Sequence, residues 1–447
     1  MQKISILLSS EVHARSFFET NIDEQLINHF QLSFMCSKEI GNTYCEQLNN
    51  YHVDFFQLNP GFMKLGINLM NSGTWKFRRS SGSFQFRIKR WLFGDGLWPT
   101  SLSERLIFAA KFLKNSLKLL KIMLAAQIFS YSLKQYRAFS DNHCDVAKLI
   151  SRSNAQLVVI WSSGQDPYAQ SAVRASRKSG KKSVLVVDNW DNLSSKTLIH
   201  EQPDSLVCFG EQGVQFARKI HGLNDVNFAP IGSARFEVYR GLREDFPLKE
   251  RNEILFAGSS LSFEDELILD TLAQFHHDYV QDNGLLIVYR PHPAIQGAKI
   301  DLLKLQEKYP FLEIDLDTVK NQSGNERFPK LAGARERLSR VRVAICMPTS
   351  FLLEALIAGS PVIIPAFNEE TVRSSSKRLL TELEHLKGLS KTPGISVASS
   401  PEELASQIFQ KMGSQTSPPI SKEFQWYVSW TNVPFGDRLT TFLKTQV

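Results

Sequence analysis

Val341-Arg-Val-Ala-Ile-Cys-Met-Pro-Thr-Ser-Phe-Leu-Leu-Glu-Ala-Leu-Ile-Ala-Gly-Ser-Pro-Val-Ile-Ile-Pro365 reads as a complete strand–helix–strand unit. Residues 341–346 form a β-branched run, which Pro348, Thr349 and Ser350 break while supplying a helix N-cap. Residues 351–358 are an almost wholly apolar helix; Gly359 ends it, Pro361 forbids its continuation, and 362–364 is the next strand. Glu354 is the exception on that apolar helix. It follows Ser350 by four residues and so shares its face, at the end where unpaired N–H groups attract anions. A capping box needs a spacing of three. The Glu354 carboxylate is therefore expected to be free for a ligand.

Outward from this unit the chain keeps the same rhythm. In the second half, strand 254–257 ends in Gly258-Ser259-Ser260, strand 285–289 ends in Arg290-Pro291-His292-Pro293, and 312–316 is a short strand. Three strand-end loops there suit a phosphate. Gly258, Ser259 and Ser260 offer backbone N–H groups and hydroxyls without a side-chain barrier. The prolines hold Arg290 and His292 in a stiff loop, and Thr349 and Ser350 present a helix start to anionic oxygens. In the first half, strands are expected at 3–9, 31–35, 52–58, 156–161, 183–187, 206–210 and 226–231, with a helix over 17–30. Their C-terminal loops carry His13 with Arg15, then Asp166, then Asp188 and Asp191. Open α/β sheets bind ligands at that edge, although Asn, Asp and Ser also favour turns for local reasons.

A length of 447 residues implies more than one core. The five cysteines are scattered and odd in number, which argues for a reducing compartment and against a disulfide framework or zinc knuckle. The apolar run at the N-terminus is too short for a signal peptide and is read as a first strand, and no run is long enough to cross a bilayer. A cytoplasmic protein is expected. Residues 75–137 stand apart: thirteen Lys and Arg face only Asp95 and Glu104, in a chain whose whole net charge is +7. Tryptophans and phenylalanines interleave with the first basic cluster. A long helix over 103–137 then sets Lys111, Lys114, Lys118 and Lys121 opposite Phe112, Leu113, Leu117, Leu120 and Leu124. Such a helix is either an ordinary amphipathic one with a solvated lysine face or a surface for anionic lipid or a lipid-linked acceptor. No recognition motif for nucleic acid accompanies the charge.

The Arg290-Pro291-His292-Pro293 loop resembles the HP motif of GT-B glycosyltransferases of bacterial surface polysaccharide synthesis, among them sialyl- and Kdo-transferases and CDP-glycerol glycerophosphotransferases. Ser350, Glu354-Ala355 and Gly359-Ser360-Pro361 resemble the donor motif that follows in that group. The resemblance covers roughly 156–365 and implies an α/β chain of GT-B type, two Rossmann-like domains facing a central cleft. Residues 1–235 would form an acceptor-side domain carrying the 75–137 insertion, 236–250 the linker, 251–425 the nucleotide-sugar domain, and 426–447 a tail packing back on the first. It further implies transfer of a sugar or polyol phosphate from a nucleotide donor, CMP- or CDP-linked donors included, to a cell-surface glycan or lipid-linked acceptor. The protein would then work peripherally on the inner face of the membrane, with neither a metal nor a further cofactor. Donor contacts fall to Gly258, Ser259, Ser260, Arg290, His292, Thr349, Ser350 and Glu354, with His292 on the donor phosphate. Retaining members often carry a Glu eight residues before the position of Glu354. Cys346 stands there, so an inverting route is implied. Such a route needs a general base from the first half: Asp166 is the first choice, His13 the second, Asp188 or Asp191 the third. A nucleotide-sugar 2-epimerase and a non-catalytic scaffold on the same fold are the alternatives.

Overall fold

The apolar runs become the strands of two separate parallel sheets. The structure is a computed structural model that describes the chain apart from residues 94–100, 163–165, 197, 259–264, 281–283, 293–301, 316–329 and 368–374, and the side chains of 143, 280, 302 and 303. The first sheet contains β1 (Gln2–Leu8), β2 (Phe30–Ser37), β3 (His52–Phe56), β4 (Leu157–Ser162), β5 (Lys182–Val187), β6 (Ser205–Cys208) and β7 (Asn227–Pro230). The second contains β8 (Glu253–Ala257), β9 (Leu286–Arg290), β10 (Leu312–Ile314), β11 (Val341–Cys346), β12 (Val362–Pro365) and β13 (Ile395–Ala398). Their orders are β3-β2-β1-β4-β5-β6-β7 and β10-β9-β8-β11-β12-β13. In each sheet the chain runs outward one way, returns to the middle and runs outward the other way. The reversals lie between β1 and β4 and between β8 and β11, the kind of switch point where such sheets bind ligands.

Burial on both faces explains why these strands read as continuous apolar runs. Leu157, Val159 and Trp161 of β4 enter one core with Ile4, Ile6 and Phe17, whereas Val158 and Ile160 enter the other with Leu7, Leu185 and Tyr168. In the second sheet Ile254, Phe256, Ile287, Val343, Ile345 and Ile363 share one core.

The chain forms two compact units: Met1–Leu92, Ala109–Glu237 and Gln425–Val447 make the first, and Phe93–Phe108 with Val238–Phe424 the second. Residues of the C-terminal stretch sit deep in the first unit. Phe435, Leu439 and Leu443 are fully buried beside Ile22 and Leu26, and Ser429 N–H donates to the Phe209 carbonyl at 2.7 Å. A Cβ on Gly210 would lie 2.7 Å from the Trp426 carbonyl oxygen, so only glycine admits that approach.

Several local expectations are corrected. The single helix expected over 17–30 is two, Glu11–Phe18 and Ile22–Ile27, separated at Asn21 in the left-handed region (φ 55°). His13 therefore lies in the first turn of a helix capped by Ser10, not in a loop. The helix expected over 103–137 breaks at Ile128 into Leu102–Gln127 and Phe129–His143. Residues of the linker region form short helical turns, Ala234–Tyr239, Leu242–Asp245 and Leu248–Glu250. Ser350 has helical dihedrals and its side chain caps nothing, because the turn starts earlier, with the Thr349 carbonyl accepting from Leu352 N–H.

Two half-buried histidines tie the stability of the first unit to pH. Nδ1 of His221 accepts from Ile199 N–H at 3.0 Å, so its Nε2–H donates to the Leu193 carbonyl at 2.7 Å; both nitrogens are committed to the neutral ring. Burial lowers His221 to about 4 and, with the Arg137 charge adding to it, His200 to about 4. Below the ordinary value of 6.5 the unfolded chain binds protons that the folded chain refuses. Stability is thus full above pH 6.5 and falls between 6.5 and 4, by roughly 1.4 kcal/mol per pH unit for each ring. Urea midpoints measured across that window should drop steeply, and His221→Gln should flatten the slope by about half. A pH-independent midpoint would contradict the assignment.

Candidate active site

The C-terminal edge of the first sheet is built around the β1/β4 switch. Leu8 is paired with Trp161, and Ser162 with Val187, so Ser9, Ser162 and Asp188 come to one edge. Asp166 begins the helix Pro167–Lys178, and its Oδ1 accepts from Tyr168 N–H at 2.9 Å as an N-cap. Its Oδ2 accepts the Ser9 hydroxyl. With the hydroxyl proton directed at Asp166, Ser9 Oγ is left to accept from His13 Nδ1 at 3.2 Å. The donor direction fixes the tautomer: Nδ1 carries the proton and Nε2 the lone pair. His13 is buried, and Nε2 has no partner among the described residues. Burial pushes the Asp166 carboxyl above its ordinary range, while a positive His13 and the Ser9 hydroxyl pull it back.

Beyond β5, Asp188 N–H donates to the Ser162 carbonyl at 3.0 Å and Asn192 Nδ2 to the same oxygen at 3.3 Å. Asp188 Oδ2 and Asn192 Oδ1 are buried and unpartnered among the described residues. Asp191 differs. Its Oδ2 accepts from Ser195 Oγ at 2.8 Å and pairs with Lys196 Nζ at 3.1 Å, so it serves its own turn.

The second sheet repeats the pattern at the β8/β11 switch. Ala257 pairs with Arg290 on one side and Cys346 on the other, which aligns the ends of β9, β8 and β11. A Cβ on Gly258 would lie 2.7 Å from Asp265 Oδ2 and 3.2 Å from the Tyr289 hydroxyl, so only glycine fits there, and its N–H, expected to be open to a phosphate, donates instead to the Arg290 carbonyl at 3.0 Å. The Arg290 guanidinium lies 5.2 Å from the Phe351 ring centroid. Its nearest carboxylate is distant, Asp315 at 3.8 Å, and Nη1 is buried without a partner among the described residues. Burial, and secondarily the Arg290 charge, hold His292 below its ordinary value, hence neutral near pH 7 and able to donate one ring N–H. Glu354 is buried and accepts the Tyr239 hydroxyl at 2.7 Å, so its carboxylate is not free as expected but held by a phenol 115 residues away. Ser259, Ser260 and Pro293 lie outside the described residues.

No protein-family model matches the chain, and no characterised protein matches it by sequence. Solved structures do match its architecture. UDP-GlcNAc 2-epimerase from Methanocaldococcus jannaschii aligns over 99% of this chain and 100% of its own, at a TM-score of 0.53 and 11% identity. MurG from Acinetobacter baumannii aligns over 99% of both chains at a TM-score of 0.48 and 9% identity. The fold is GT-B.

On this GT-B frame, His13 and Asp166 share one hydrogen-bonded cluster, Asp188 stands on the same sheet edge, and Asp191 is occupied elsewhere. Gly258, Arg290, His292, Thr349, Ser350 and Glu354 belong to the ends of β8, β9 and β11 and the segments following them. Sequence reasoning missed Ser9, Asn192, Asp265 and Tyr239. Ser9 and Asn192 had a usable signal, since polar residues directly beyond buried strands fall at the ligand edge. Asp265 had a weaker one, a carboxylate opening a helix after a glycine loop. Burial pushes it up to about 6, with Tyr289 O–H donating to Oδ2 at 2.7 Å. Tyr239 had none.

Proposed function

We propose that this chain is an inverting, metal-independent glycosyltransferase that moves a sugar, or a sugar-like polyol phosphate, from a nucleotide donor to a hydroxyl of a cell-surface glycan or lipid-linked acceptor. One observation carries the reading: a relay, Asp166–Ser9–His13, that ends in a basic nitrogen without a partner among the described residues, at a switch point. With a sugar donor an acceptor hydroxyl gives its proton to His13 Nε2 as its oxygen attacks the anomeric carbon; with a polyol phosphate donor the same oxygen attacks the phosphorus that joins the polyol to the nucleotide. The bond to the nucleotide phosphate breaks in the same step, and the configuration inverts. The imidazolium formed is steadied through Ser9 by Asp166, which acts as a positioning residue because both its oxygens are engaged. Asp188 and Asn192 have lone pairs suited to acceptor hydroxyls.

The second unit takes the donor role. Arg290 offers a buried Nη1 without a partner among the described residues, and neutral His292 a ring N–H, for the charge that develops on the leaving phosphate. The Thr349 and Ser350 hydroxyls line the same strand ends, and Glu354, oriented by Tyr239, is assigned to the ribose or sugar hydroxyls. CMP- and CDP-linked donors are the first to test. We further infer a cytoplasmic protein working at the inner face of the membrane, a reading supported by the basic segment 75–137.

A nucleotide-sugar 2-epimerase is the second reading, favoured by the architectural likeness to the archaeal epimerase. The two differ in what they need. A transferase releases free nucleotide from its donor only when an acceptor is supplied. An epimerase alters the sugar with no acceptor present. Incubating the chain with CMP-, CDP-, UDP-, GDP- and dTDP-linked sugars, with and without a panel of short glycans and polyprenyl phosphates, separates them. Acceptor-dependent nucleotide release supports transfer; a changed sugar without acceptor overturns it.

A further inference from the structure

The helix Leu102–Gln127 carries its leucines on the side that leaves the protein. From Ala109 onward it belongs to the first unit, and its buried residues are Leu119, Ile122 and Ala126. Leu113, Leu117, Leu120 and Leu124 recur at spacings of four, three and four, roughly 160° around the helix from that buried side at 100° per residue. They are 49–62% exposed. This is a continuous apolar seam about 17 Å long at 1.5 Å per residue, and contiguous exposed apolar surface marks an interaction site. It also reverses the expectation that leucines would face the core and lysines alone the solvent.

The lysines say what covers it. Lys111, Lys114, Lys118 and Lys121 form a column along one flank of the seam, and no Asp or Glu occurs from Ala109 to Gln127. None of the four pairs with a carboxylate among the described residues; Lys118 alone has a neighbour of note, the Trp91 ring at 5.8 Å. A second copy of the chain laid seam to seam would bring lysine columns together, which costs energy. An anionic bilayer surface satisfies both features, because leucines enter the acyl boundary while lysines meet the headgroups. No described helix is long and apolar enough to cross a membrane, so the helix would lie on the surface.

We propose that residues 109–127 form an interfacial membrane-binding helix that inserts the Leu113–Leu124 seam and grips anionic headgroups through the lysine column. This names the surface by which the chain would reach a lipid-linked acceptor, and it stands or falls without the transfer chemistry.

The test is sedimentation of the full chain with vesicles, no sugar nucleotide present. Vesicles of phosphatidylcholine mixed with phosphatidylglycerol should pellet the protein at low salt and release most of it at high salt. Phosphatidylcholine alone should bind far less. Lys114→Gln with Lys118→Gln should lower the partition coefficient roughly thirtyfold, about fivefold per charge. Leu117→Ser with Leu120→Ser should lower it roughly tenfold or more. These side chains are exposed, so both double variants should keep the wild-type melting temperature. Absence of binding to the mixed vesicles overturns the proposal, as does wild-type binding by both variants. A dimer in sedimentation equilibrium that the leucine variant abolishes, with no lipid binding, would assign the seam to a second copy. Capture of an acidic protein without any vesicle binding would assign it to that partner.

Discussion

His13→Gln is expected to lower kcat by about two to four orders of magnitude, the usual span of general-base catalysis, and to leave donor affinity unchanged. Glutamine fits the buried space and keeps a donor toward Ser9, but it has no basic nitrogen. Asp166→Asn should cost less, about a hundredfold, and with a different signature. Asparagine can still cap Tyr168 through its oxygen, so the helix Pro167–Lys178 should stay in place. It cannot carry the negative charge that steadies a protonated His13, so the loss should lie in kcat. Ser9→Ala breaks the link between the two and should resemble Asp166→Asn rather than His13→Gln. Full activity in His13→Gln with loss only in Asp166→Asn would hand the role of base back to Asp166.

Arg290→Met should weaken donor binding about a hundredfold or more. Arg290 Nη1 is buried without a partner among the described residues, and removing one member of a desolvated charged pair costs about 2–5 kcal/mol. Methionine retains much of the apolar stem, and Asp315 at 3.8 Å is too weakly engaged for its loss to unfold the unit. Phe351→Leu removes only the ring that faces Arg290 and should weaken binding about three- to tenfold. His292→Ala should also lose donor affinity, while His292→Gln, which keeps an N–H donor, should recover part of it. Calorimetry with the matching nucleotide reads all four. Wild-type affinity in Arg290→Met would remove this residue from the donor site.

How much of this was legible beforehand follows from the physics of parallel sheets. Strands buried on both faces must be apolar along their whole length, so 157–162 and 341–346 announced themselves, and polar residues just beyond them marked the ligand edge. That reasoning placed His13, Asp166, Asp188, Gly258, Arg290 and His292 at the ends of these strands or in the segments that follow, where the structure has them. Adjacency was not legible. Ser9 and Asp166 are 157 residues apart and meet only because β1 pairs with β4; Tyr239 and Glu354 are 115 apart. Nor can a carboxylate in a sequence declare which oxygen is spoken for. Asp166 was the first choice of base, and the geometry engages both its oxygens, one as a helix cap and one with the Ser9 hydroxyl. The helix after residue 102 teaches a related lesson. Periodicity divided its leucines from its lysines correctly, but periodicity is silent on which side meets the protein. Leu119, Ile122 and Ala126, a narrower stripe, turned out to be the buried one.

The central claim, a nucleotide-sugar enzyme with its donor site at the ends of β8, β9 and β11, is tested most directly by thermal shift against CMP, CDP, UDP, GDP and dTDP. A ligand that binds only the folded state at a hundred times its Kd adds about 2.7 kcal/mol. The wild-type protein should respond to one nucleotide with a rise of a few degrees, and Arg290→Met, folded but unresponsive at the same concentration, should show none. No rise with any of the five, or an equal rise in Arg290→Met, would contradict the account.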